Sequence, residues 1–141
     1  MRISDVLRNK GSAVATIGAD ASVGDVIAML TTGNYGALPV MDGDRLVGIV
    51  SERDVVRRLH EMGPELVGTP VVDIMTSEVV TASPDDSALE LSRIMTERRI
   101  RHLPVTADGA LVGIVSIGDM VKARIDSLEE EREQLQSYIA S

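Results

Sequence analysis

The sequence predicts an α/β fold of the α+β type: two β-α-β-β-α units packed with pseudo-twofold symmetry, then a C-terminal helix. Three observations predict it. Residues 14–61 laid on 79–126, at a constant offset of 65 and without gaps, share 16 identities in 48 positions, where chance at ordinary composition supplies roughly 3. Apolar spacing alternates between strand-like runs and helical three-to-four periodicity at the same places in both copies. The length of 141 residues, 44% hydrophobic and 26% charged, is one domain's worth of globular chain and excludes wholesale disorder.

Each copy opens on a short lead-in, Asp5-Val6-Leu7 and Asp73-Ile74-Met75. The β-branched runs Val14–Ile17 and Val79–Thr81 then read as strands. Val23, Val26, Ile27 and Leu30 space a helix over 22–32, and Leu89, Leu91, Ile94 and Met95 space its counterpart over 87–98. Ser22 and Ser87 stand where N-caps belong. Ala37–Met41 and Leu46–Val50 form a hairpin around Asp42-Gly43-Asp44, repeated around Ala107-Asp108-Gly109. A last helix follows Ser51 and Ser116. The repeats run over 1–62 and 71–126, joined by a linker at 63–70 and followed by a helical tail at 127–141. In and before the tail, Ile125, Leu128, Leu135 and Ile139 share one helical stripe about two heptads long. That is too short for an independent coiled coil, so the tail is expected to cap a dimer or pack on a partner repeat. One copy of about 60 residues buries little core. Two packed together bury enough, and functional sites are expected where they meet.

Composition removes whole classes of function. With no Phe, no Trp and two Tyr, the core must be Val, Ile, Leu and Met. The net charge is −8; the last sixteen residues carry −4 of it and the rest −4, so basic pockets remain allowed. An acidic surface repels phosphate backbones and argues against a nucleic-acid partner. Zero cysteines remove disulfides, thiolate nucleophiles and Cys-based metal sites, and two histidines, His60 and His102, cannot make a His-rich cluster. No apolar run is long enough to span a bilayer, so no membrane partner is expected. No signal-peptide core follows Met1-Arg2-Ile3-Ser4-Asp5. The expected location is cytoplasmic. Without a phosphate-cradling Gly-x4-Gly-Lys-Ser/Thr loop or a His beside a nucleophile, the chain is not expected to be an enzyme.

The chemistry-bearing residues recur with the repeat. Ser51-Glu52-Arg53-Asp54 and Ser116-Ile117-Gly118-Asp119 are capping boxes and need be nothing more. An aspartate also accepts two hydrogen bonds, which suits a vicinal ribose diol. Ahead of Leu-Pro-Val, the second copy has Arg101 and His102 where the first has Gly36 and Ala37. A guanidinium fork suits phosphate oxygens and a histidine adds a switchable donor; the plainer reading is a solvated basic helix end favoured by the dipole.

Leu-Pro-Val leading into Leu-Val-Gly-Ile-Val-Ser-x-x-Asp, present twice over residues 1–126, closely resembles the cystathionine-β-synthase (CBS) domain pair. The resemblance implies a regulatory module binding an adenosine nucleotide (AMP, ADP, ATP or NAD) between the repeats, needing no further cofactor. It also implies a homodimer that signals to a regulated protein. By family geometry one site would combine Ser51 and Asp54 with Thr81, Ile100, Arg101 and His102. A second would combine Ser116 and Asp119 with Thr16, Tyr35, Gly36 and Ala37. Arg53 would reach the phosphate of the second site, yet the first, richer in donors, should be tighter. The competing reading is a ligand-free protein-interaction scaffold, with Asp54 and Asp119 as plain helix acids.

Overall fold

The computed structural model describes residues 1–11 and 13–140. Helix α1 (Ile3–Lys10) precedes strand β1 (Ile17–Gly18), helix α2 (Val23–Gly33), strands β2 (Ala37–Asp42) and β3 (Arg45–Ser51), and helix α3 (Glu52–Met62). Two 3-10 segments, Gly63–Gly68 and Val71–Asp73, lead to α4 (Ala88–Arg98), β4 (His102–Ala107), β5 (Ala110–Ser116) and α5 (Ile117–Ala140). The architecture is the mixed α/β one expected. β1 runs parallel to β2, β2 antiparallel to β3, and β4 with β5 forms a separate antiparallel hairpin.

The local signals act as their chemistry dictates. Ser22 Oγ accepts the Asp25 amide and Ser87 Oγ the Glu90 amide, which starts α2 and α4. The two hairpin turns differ in one detail. Gly43 takes φ +64° ahead of an ordinary Asp44, the pattern of a type II′ turn, whereas Asp108 and Gly109 both lie at positive φ (51° and 80°), as type I′ requires.

Strand pairing begins later than the β-branched runs predict. Ile17 and Gly18 pair with Val40 and Met41, and in the second copy the strand shrinks to one parallel bridge between Ala82 and Val105. The side chains in register with the buried faces of β2 and β4 are Ile17 and Ala82, both buried. The β-branched residues before them do other work: Val79 and Val80 line a cavity between the repeats. The tail is no separate element either. It is the outer part of α5, one unbroken helix of 24 residues whose buried side chains, Met120 and Ala123, lie in its first two turns.

The chain builds two cores and exchanges a segment between them. Leu38, Val40 and Val50 pack with α2 and with Leu66, Val71 and Ile74 from beyond α3. Leu103, Val105 and Val115 pack with α4, α5 and with Ile3 and Val6 of α1. Each lead-in therefore sits in the core preceding or following it by half the chain, not beside its own strand. The backbone marks the exchange in both halves. Arg2 bridges Ser87, with Ile3 N donating to Asp86 O at 2.9 Å, while Ser22 bridges Pro70, with Val71 N donating to Ala21 O at 2.9 Å.

The glycine of each Leu-Val-Gly-Ile-Val-Ser string is where the exchanged segment crosses. A Cβ on Gly48 would meet Met75 Sδ and lie 3.0 Å from the Thr76 carbonyl; one on Gly113 would lie 2.6 Å from Leu7 Cδ2. Gly48→Val should therefore destabilise the chain by about 1–3 kcal/mol through overpacking, read as a lower urea midpoint. An unchanged midpoint would show that the crossing segment yields freely.

Candidate functional site

A cavity of about 490 Å³ opens between the two copies, within the size range of small-molecule sites. The first copy contributes Gly36 and Ala37 at the start of β2, Ser51 at the end of β3, and Arg53, Asp54 and Arg57 on the first turns of α3. The second contributes Ile100, Arg101 and His102 at the entry to β4. Ile49, Val79, Val80, Ile100 and Pro104 make an apolar lining, a surface for a flat ring. Glu78, and Arg98 and Arg99 at the end of α4, complete the charged part.

Asp54 is a capping residue with an oxygen to spare. Its Oδ2 accepts the Ser51 amide at 2.8 Å and the Ser51 hydroxyl at 3.0 Å, and the Asp54 amide donates to Ser51 Oγ. Oδ1 has no protein partner among the described residues, and Asp54 lines the open cavity. The capping box thus fixes the carboxylate without exhausting it.

The symmetry-related aspartate is engaged. Asp119 makes the same box with Ser116, and Lys10 Nζ from α1 donates to Asp119 Oδ2 at 2.7 Å and to the Ile114 carbonyl at 2.8 Å. The lead-ins explain the difference. Counting from Asp5-Val6-Leu7 and Asp73-Ile74-Met75, the residue matching Lys10 is Glu78. An acid at this position cannot pair with Asp54 as the lysine pairs with Asp119.

The remaining residues singled out from the sequence are scattered. Thr81 is exposed and is not among the cavity's lining residues. Thr16 lines a separate shallow depression with Met41 and Asp42. Tyr35 is 40% exposed and folds its ring over Gly33 at the end of α2. Gly36, Ala37 and Arg53, all assigned from the sequence to the second site, line the first cavity together with His102. A Cβ on Gly36 would lie 2.9 Å from His102 Nε2, so the imidazole takes the room that the glycine leaves. Burial, then the nearby Lys10 charge, hold the His102 pKa below its ordinary value, which makes it neutral at pH 7.

Comparison with known proteins identifies the family. The profile of the CBS domain matches residues 3–61 and 71–126. The chain belongs to the CBS-domain family. It is 38% identical over 97% of its length to the mitochondrial CBS domain-containing protein CBSX3 of Arabidopsis thaliana, covering 71% of that protein. A CBS-domain containing protein from Agrobacterium tumefaciens, 38% identical, superposes with a TM-score of 0.85 over 88% of this chain and 99% of that one. Two similar CBS structures carry adenosine compounds. One is CBSX2 in complex with AMP (28% identical, TM-score 0.72, covering 89% of this chain and 96% of that one). The other is the domain pair of MJ0100 with 5′-methylthioadenosine and S-adenosylmethionine (25% identical, TM-score 0.73, covering 86% and 98%). Among the described residues no helix is long and apolar enough to cross a membrane.

In this CBS pair the sequence reading missed Arg57, Glu78 and the cavity-facing placement of Arg98 and Arg99. Arg57 stands one helical turn beyond Arg53, a signal that was available; the others depend on how the two copies meet. The Lys10–Asp119 pair has a pH signature. Burial raises the Asp119 pKa, but the hydrogen bonds from Lys10 and Ser116 and the Lys10 charge outweigh it, and the net shift is downward from 3.8. A depressed carboxylate pKa stabilises the fold above the unfolded value and stops doing so as pH falls through the folded one. Lys10→Met should thus lower the Tm at neutral pH by an amount that shrinks below about pH 4. An equal difference at pH 7 and pH 3 would mean that Lys10 acts by packing alone.

Proposed function

We propose that this CBS pair is a regulatory sensor of adenosine nucleotides, not an enzyme, with its ligand in the cleft holding Ser51, Asp54, Arg101 and His102. The observation that carries the reading is the free Oδ1 of Asp54 in a cavity with an apolar lining and a guanidinium at its far side. A carboxylate for the ribose hydroxyls, an apolar slot for the base and Arg101 for phosphate are what a nucleotide asks for. The AMP bound by CBSX2 is consistent with it. Ligand spanning both copies favours one arrangement of the repeats, and the shift it imposes is limited by its differential affinity for the arrangements.

The two clefts are unequal in this reading. Asp119 already holds Lys10, so one ligand per chain is expected, on the Asp54 side. A thermal-shift screen with AMP, ADP, ATP, NAD and S-adenosylmethionine, with GMP as control, tests it. A ligand at about 100 times its dissociation constant adds roughly 2.7 kcal/mol of stability. Asp54→Ala should abolish the shift and Asp119→Ala should leave it. A shift that survives Asp54→Ala refutes the assignment of the ribose to that residue. No shift with any adenosine compound leaves the scaffold reading.

The sensor is expected to act as a homodimer in the cytoplasm, signalling to a regulated protein. Val56 and Leu59 on α3, and Val121, Ile125 and Leu128 on α5, are exposed at three- and four-residue spacings. Apolar stripes on the corresponding helices of both repeats suit burial against a second copy. A Val56→Glu/Val121→Glu double variant should run as a monomer in light scattering while the parent runs as a dimer; a monomeric parent would refute the dimer.

A further inference from the structure

The ligand cavity is cationic in an acidic protein. Five of the chain's fourteen basic side chains line it: Arg53, Arg57, Arg98, Arg99 and Arg101, against the carboxylates of Glu52, Asp54 and Glu78. The cavity therefore carries an excess of two positive charges, with His102 neutral, inside a chain whose net charge is −8.

The five guanidinium groups are solvent-exposed and, among the described residues, hold no carboxylate partner. Arg2, Arg8, Lys10 and Arg58 each pair with a carboxylate, whereas none of the five makes an ion pair among the described residues. Their placement is in two groups. Arg53 and Arg57 lie four residues apart on one face of α3, and Arg98, Arg99 and Arg101 follow one another where α4 ends and β4 begins. Like charges gathered on both walls of a cleft repel one another and raise the local concentration of anions. One phosphate group is met by one or two guanidinium forks. Five forks on two walls outnumber what a single phosphate uses.

We infer that the ligand of this cleft carries a chain of at least two phosphates on its adenosine, lying between the α3 arginines and the Arg98-Arg99-Arg101 group. The inference rests on the nucleotide reading above and sharpens it to the pyrophosphate class: a nucleoside di- or triphosphate, or a dinucleotide joined by pyrophosphate. A cationic adenosine derivative such as S-adenosylmethionine is disfavoured by the same charges, and a monophosphate leaves most of them unmatched.

Isothermal titration of the full chain with adenosine, AMP, ADP, ATP, NAD and S-adenosylmethionine tests this, at low and at physiological salt. ADP and ATP should bind about tenfold or more tighter than AMP, since each added phosphate gains charge-assisted hydrogen bonds. The advantage should shrink as salt rises. NAD tighter than ADP would identify the dinucleotide within the class, and ADP or ATP tighter than NAD the free nucleotide. Arg98→Ala/Arg99→Ala, which removes two exposed side chains at a helix end, should weaken ATP more than AMP and reduce the ATP-over-AMP preference to about threefold or less. AMP or S-adenosylmethionine binding as tightly as ATP overturns the inference and leaves the nucleotide site standing, as does a preference unchanged in the double variant. Binding of none of the six overturns both.

Discussion

The exchange of lead-in segments holds the molecule together. Ile3 and Val6 fill the core of the second repeat, and Val71 and Ile74 fill that of the first. Neither half can complete its hydrophobic interior without chain from beyond its own hairpin, so two small cores behave as one folding unit. The exchange also sets the floor of each cleft. Met75 and Leu7 cross the hairpins over Gly48 and Gly113; of the residues that follow, Lys10 reaches Asp119 of α5 and Glu78 lines the cavity that Asp54 of α3 also lines.

From that crossing follows the inequality of the two clefts. Nearly identical strings supply a serine and an aspartate to both, with the same capping geometry. Beyond the Arg101-His102 pair, which has Gly36 and Ala37 as its counterpart, the clefts differ in the charge at the end of the crossing segment. Lys10 neutralises Asp119 and ties α1 to α5, whereas Glu78 leaves Asp54 to whatever enters from outside. A reversal of sign at one pair of matched positions, Lys10 and Glu78, thus contributes to the asymmetry of a duplicated fold.

Much of the fold was legible in the sequence because its signals are local. The helix starts at Ser22 and Ser87, the hairpins, and the helices after Ser51 and Ser116 each follow from residues within a few positions of one another. The strands before the first helix of each repeat were misjudged for the converse reason. Val79 and Val80 have β-propensity, but tertiary packing sets them against the cleft and leaves the ladder to Ala82. The exchange itself was invisible, since Val6 and Ile74 look alike to any local rule. Asp54, Arg101 and His102 could be placed near one another only through resemblance. Lys10 reaching Asp119, 109 residues away, had no sequence signal except its mismatch with Glu78.

Helix α5 has a mechanical meaning of its own. It begins at Ile117, beside the serine and aspartate of the second cleft, and runs unbroken to Ala140. At 1.5 Å per residue it is a rod about 36 Å long, with only its base embedded. A tilt of about 5° at that base carries the far end through about 3 Å. Rearrangements too small to matter inside the core are thereby magnified along the exposed outer half, past Glu129, Glu130, Glu131 and Glu133 at mid-length to Leu135 and Ile139 near the end.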